Sequence, residues 1–107
     1  MDERRLYQIL SLAKKAGAIK DGEYACEKTI RSYQAELVIV AADASDNTKK
    51  KFTDMAAFRK IPLMTAGEKE SLGRCIGKQE RAVIVVTDSG FGDSIRKYNR
   101  QIGQGGD

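Results

Sequence analysis

Leu37-Val38-Ile39-Val40-Ala41-Ala42 is an unbroken apolar run with β-branched residues at its heart. Alternation of apolar and polar residues would mark a strand with one wet face. A short continuous run marks a strand covered on both faces. Arg81-Ala82-Val83-Ile84-Val85-Val86-Thr87 repeats the pattern late in the chain, and no other apolar run matches these two in length. Strands covered on both faces need helices above and below, so the pair predicts an α/β fold with a mixed sheet between helical layers.

The segments around the two runs supply those helices. Leu6, Ile9, Leu10 and Ala13 recur at helical spacing until Gly17, and Ala18-Ile19-Lys20 reads as a short extended piece. A second helix follows Asp21-Gly22 and buries Ala25, Cys26, Thr29 and Ile30, with Glu27 and Arg31 spaced i,i+4 as a favourable pair. Ser45 or Asp46 caps a third, with Phe52, Met55 and Ala56 inward, and Pro62 ends it. Leu63-Met64-Thr65 is a brief strand. Thr65 and Glu68 have capping-box spacing ahead of a short helix carrying Leu72, Cys75 and Ile76, stopped by Gly77. Asp88 or Ser89 starts the last helix, with Phe91, Ile95 and Tyr98 inward. About four strands and five helices are expected, with residues 1–102 as one domain and residues 103–107 as a flexible tail.

Composition excludes several classes. With 107 residues and 41% hydrophobic content the chain can bury a core and is not a disordered polymer. No apolar run is long enough to cross a membrane, and Met1-Asp2-Glu3-Arg4-Arg5 is too charged for a signal peptide. Cys26 and Cys75 lack pairing or metal-ligand spacing and fit small buried hydrophobes in a reducing cytoplasm. Histidine is absent, which removes the commonest general base and leaves no zinc set. No metal or cofactor is expected. Nineteen Lys and Arg against fifteen Asp and Glu leave a net charge of +4, which suits an anionic partner without specifying one.

The stretch from Asp21 to Ser45 points further. A helix opening at Gly22-Glu23 presents unpaired N–H groups to an anion. Tyr24, Lys28 and Arg31 follow at i, i+4 and i+7, an aromatic ring and two cations on one stripe. Such a stripe suits an RNA backbone and an unstacked base, and Lys78 and Arg81 bracket a strand entry that could meet it. Each feature has a plainer reading. Tyr24 could be a surface aromatic lying along Lys28 or a ring packed on the core edge, Lys28 and Arg31 could be solvated, and Lys49-Lys50-Lys51, with Asp46 spaced i,i+4 from Lys50, fits a solvated face better than a phosphate clamp. Asp43 and Asp88 follow buried strands, as magnesium-binding carboxylates do, but they also suit ordinary helix caps. Gly90-Phe91-Gly92 is a weak phosphate-loop signal without a Walker lysine. A small phosphate- or magnesium-dependent enzyme is therefore the least favoured class, behind a protein-interaction module docking through the sheet edge or first helix.

The order of elements, the stretch Ala35-Glu36-Leu37-Val38-Ile39-Val40-Ala41-Ala42-Asp43-Ala44-Ser45 and the later Leu72-Gly73-Arg74-Cys75-Ile76-Gly77 resemble the L7Ae/L30e family of ribosomal and kink-turn RNA-binding proteins, in its bacterial YlxQ-type branch. The resemblance implies a three-layer α-β-α sandwich whose RNA site lies at one end of the sheet. The head of the second helix and the loop before the last strand would form it. Of the family's GxNExxK pattern, Gly22 and Lys28 match, whereas Tyr24 and Ala25 stand where asparagine and glutamate would be. Lys78-Gln79-Glu80-Arg81 replaces the apolar residues that pack on an extruded nucleotide. The resemblance thus implies a non-catalytic, ribosome-associated, monomeric RNA binder with altered base-reading residues. Gly22, Glu23, Tyr24, Lys28, Arg31, Lys78 and Arg81 would face structured RNA, with ribosomal proteins as further partners.

Overall fold

In a computed structural model, which describes residues 3–106 and side chains through residue 99, the two apolar runs lie side by side at the centre of a four-stranded sheet. The elements alternate as α1 (Arg4–Lys15), β1 (Ile19–Asp21), α2 (Glu23–Arg31), β2 (Leu37–Val40), α3 (Asp46–Phe58), β3 (Leu63–Thr65), α4 (Lys69–Cys75), β4 (Val83–Val86) and α5 (Ser89–Gly106). The strand order is β1-β4-β2-β3. β4 runs antiparallel to both neighbours, with Leu37 opposite Val86 and Ile19 opposite Val86 across the other edge. β2 and β3 are parallel, with Val38 opposite Leu63.

Every residue of β2 and β4 is buried, as continuous apolar runs require. α2 and α3 pack on each other over one face, and α1 packs with α4 and α5 over the other. Cys26, Ile30, Phe52 and Ala56 fill the first layer, and Leu6, Leu10, Leu72 and Ile95 are buried in the second. The ladders are shorter than the apolar runs, but their ends stay tied: Ala41 N–H donates to Ala82 O at 2.9 Å and Thr87 N–H to Ala18 O at 2.9 Å. Burial pushes the Cys26 thiol up to about 12, which keeps it a neutral packing group.

Two local expectations are corrected. Thr65 ends β3 and caps nothing; α4 opens after Glu68 without a cap from its own strand, and the Lys69 N–H is instead accepted by Asp43 Oδ1 at 2.8 Å. α3 stops before Pro62 can act, because Lys60 at φ 59° closes it in the left-handed region. Elsewhere the caps follow the reading: Ser45 accepts from Thr48 N, Asp88 Oδ2 from Phe91 N at 3.0 Å, and Gly17 and Gly77 both sit at φ 75°. The helical bounds of α5 run to Gly106 and so include most of the stretch expected as a flexible tail, while Asp107 and the side chains from residue 100 lie outside the described residues.

The topology sets where a site can form. β1, β2 and β3 point the same way, so their carboxyl ends and the heads of α2, α3 and α4 gather at one end of the sheet. The antiparallel β4 enters at that same end. Ligands of open α/β sheets collect there because strand ends leave a crevice and helix heads face it.

Candidate nucleic-acid interface

Of the three helix heads at this end, α3 is capped by Ser45 and α4 by Asp43, whereas α2 begins on Gly22 without a side-chain cap. Gly22 sits at φ 84°, a region that L side chains rarely adopt, and no atom lies within 4 Å of where a Cβ would stand. Glycine is thus required for the turn from β1 into α2, and its missing side chain leaves the approach to the helix head open. The Glu23, Tyr24 and Ala25 N–H groups form the uncapped first turn.

Past the head, the Tyr24 ring stands 82% exposed, which removes the reading of it as a ring packed on the core. Two shallow grooves run along α2. One of about 390 Å³ is lined by Tyr24, Glu27, Lys28, Arg31 and Ser32. The other, of about 440 Å³, lies towards edge strand β1 and adds Lys20, Ala25, Thr29 and Gln34. Tyr24 and Lys28 line both. Lys28 and Lys20 have no carboxylate partner among the described residues. Lys20 was not anticipated as a site residue. Its place next to buried Ile19 on a strand of period two could have exposed it.

The cations of the stripe differ in availability. Arg31 pairs with Glu27 at 3.2 Å, the predicted i,i+4 contact. Glu23 and Glu27 both reach Lys51 on α3, at 3.9 Å for Glu23. The Lys49-Lys50-Lys51 run is thus largely occupied: Lys51 ties α2 to α3, and Lys50 pairs with Asp54 at 2.9 Å rather than with Asp46.

The loop 77–82 is drawn to the same end, as expected. Arg81 Nε donates to Asp21 Oδ2 at 2.7 Å, with side chains only 27% and 14% exposed, and its Nη1 donates to Glu80 O at 2.9 Å. Arg81 N–H donates to Lys69 O at 3.0 Å, and Lys69 N–H is held by Asp43. One continuous line of hydrogen bonds therefore joins the turn before α2, the loop before β4, the head of α4 and the exit of β2. Gly73 lets the loop sit where it does, since a Cβ there would lie 1.7 Å from Gln79 O. Lys78 projects into solvent from this loop and has no ion pair among the described residues. Asp43 and Asp88 cap helices at opposite ends of the sheet, so they do not converge on one point. Among the described residues no three acidic, histidine or cysteine side chains could hold a metal ion together, and no helix is long and apolar enough to cross a membrane.

An uncapped helix head, an exposed ring and lysines without carboxylate partners among the described residues thus stand together at the strand-exit end of an α-β-α sandwich. Over residues 4–96 the chain matches the ribosomal protein L7Ae/L30e/S12e/Gadd45 family, and it belongs to that family. It is 40% identical to the RNA-binding protein YlxQ of Bacillus subtilis (strain 168) over 89 residues, covering 83% of this chain and 89% of that protein. It is 31% identical to the YlxQ protein of Enterococcus faecium over 96 residues, covering 90% and 92%. Among solved structures, a Bacillus halodurans protein superposes with a TM-score of 0.82 at 38% identity, covering 85% of this chain and 92% of that one. The Giardia lamblia 15.5kD RNA binding protein superposes with a TM-score of 0.73 at 25% identity, covering 86% and 79%.

Proposed function

We propose that this protein is a non-catalytic, monomeric, cytoplasmic RNA binder that takes structured, kink-turn-like or ribosomal RNA at the head of α2. The uncapped turn at Gly22 receives a phosphate, Tyr24 stacks on an unpaired base, and Lys28, with Lys20 and Lys78 on either side, neutralises the backbone. The observation that carries this reading is the exposed Tyr24 ring next to unpaired Lys28, directly beyond that uncapped head. The relatives' names, which say RNA-binding, support the ligand class.

Arg81 acts on the RNA site through its ion pair with Asp21. Its Nε is turned to Asp21, so it holds the loop against the α2 turn and sets where Lys78 projects. Arg31 and Glu23 are likewise held by ion pairs and contribute to the field more than to direct contact. Because Ala25 offers no carboxylate that could accept hydrogen bonds from a guanine edge, Ala25→Glu should raise kink-turn affinity if the site is otherwise intact.

The test is a filter or fluorescence titration across salt. Lys28→Ala should weaken binding to all RNAs and shallow the salt slope by about one unit, since one phosphate contact is lost. Tyr24→Ala should cost roughly 1–3 kcal/mol on RNA with an unstacked base and less on plain duplex. Unchanged affinity in both variants would move the site. Absence of RNA binding at low salt would favour a protein partner instead, for which the groove between α1 and α5, where Ile9, Leu12 and Phe91 lie beside Arg5, Ser94 and Lys97, is the candidate.

A further inference from the structure

At the opposite end of α2 lies a second group of exposed rings. Tyr33 is 65% exposed and Phe58 79%, at the carboxyl ends of α2 and α3 respectively. The Arg59 guanidinium carbon lies 5.8 Å from the Tyr33 ring centre and 5.4 Å from that of Phe58, so one cation sits against both rings. Arg59 Nη1 donates to Met55 O at 3.1 Å, which fixes the guanidinium on its own helix. Neither Arg59 nor Lys60 has a carboxylate partner among the described residues.

Tyr33 occupies its place at a conformational cost. Its N–H donates to Ile30 O at 3.0 Å and Gln34 N–H to Thr29 O at 3.1 Å, the Schellman closure of α2. The closing residue then needs a left-handed backbone, and Tyr33 has φ 61°. Where α1 and α4 close, glycine stands at this position, as Gly17 and Gly77. A bulky aromatic ring there is unfavourable for folding and leaves the ring outside the core.

We propose that Tyr33, Arg59 and Phe58 form a second stacking platform for the single-stranded RNA that runs along α2 away from its head. The proposal rests on the reading of α2 as the RNA-facing helix. From Tyr24 to Tyr33 the helix advances about 13 Å, which about four stacked nucleotides span. The groove lined by Tyr24, Glu27, Lys28, Arg31 and Ser32 follows α2 from its head as far as Ser32, the residue before Tyr33 in the chain. RNA fits this surface better than a protein does. Ser32, Gln34 and Lys60 beside the rings are polar, whereas a protein interface core needs apolar neighbours; a base needs only a ring face. The carboxyl ends of α2 and α3 both point here, and their partial negative charge offsets Arg59 and Lys60. The contact is therefore made by stacking rather than by phosphates.

The experiment compares a structured RNA carrying an unpaired base, with and without a single-stranded extension of about six nucleotides at each end in turn. Wild-type protein should bind one extended RNA at least about fivefold more tightly than the blunt RNA. Tyr33→Ala combined with Phe58→Ala should abolish that gain while leaving blunt-RNA affinity and the salt slope unchanged. Tyr33→Gly should raise the thermal midpoint and still reduce the gain, separating ring loss from misfolding. No gain from either extension, or a gain that survives the double substitution, overturns the platform. If the blunt RNA is bound and depends on Lys28, only the platform falls; if it is not bound at low salt, the reading of α2 falls with it.

Discussion

Gly73 is the residue at which the site depends most on a single missing atom. With Gln79 O 1.7 Å from its would-be Cβ, any side chain pushes the backbone of the loop before β4. Gly73→Ala should destabilise by about 2 kcal/mol or more, as overpacking does, with amide shifts at residues 78–81; Gly77→Ala, at φ 75° with open space around it, should cost only about 1 kcal/mol. Urea unfolding of the two variants compares them, and equal stabilities would contradict the close approach. The same contrast shows what single residues reveal in sequence. Tyr24 and Lys28 were legible because i,i+4 spacing places them on one stripe whatever the fold does. The role of Gly73 was not, because its contact comes from a loop folded back over α4, and no local pattern marks that.

At the scale of elements, period and composition decided correctly: two continuous apolar runs became the central strands, and the helical stripes turned inward as spaced. What failed was the capping box at Thr65 and Glu68, because a local motif lost to a long-range partner. Asp43 reaches across from the exit of β2 to Lys69 N–H. Asp43→Ala should therefore cost about 1 kcal/mol and loosen the head of α4, whereas Thr65→Ala should be close to neutral. Thermal melts decide it, and the reverse ranking would restore the capping box. The Asp21–Arg81 pair is likewise invisible locally, its partners lying 60 residues apart. Removing either charge should cost about 1.5–3 kcal/mol, and the double variant Asp21→Asn, Arg81→Gln less than the sum of the singles. Additive losses would show that the pair is not coupled.

Over the whole molecule, the sheet order places three strand exits, three helix heads and the entry of β4 at one end. Neither charge count nor spacing could show this, since +4 says nothing of where the cations lie. The fold brings Lys20, Lys28 and Lys78 to that end without carboxylate partners among the described residues, whereas Lys50 is paired within α3 and Lys51 with Glu23 and Glu27 of α2. The central claim is that RNA is received at the head of α2, and amide-shift mapping tests it most directly. On titration at low salt with a blunt structured RNA carrying one unpaired base, shifts should concentrate at residues 20–28 and 77–81 and be reversed by added salt. Shifts centred instead on the α1–α5 groove, or none at the α2 head, would contradict the account.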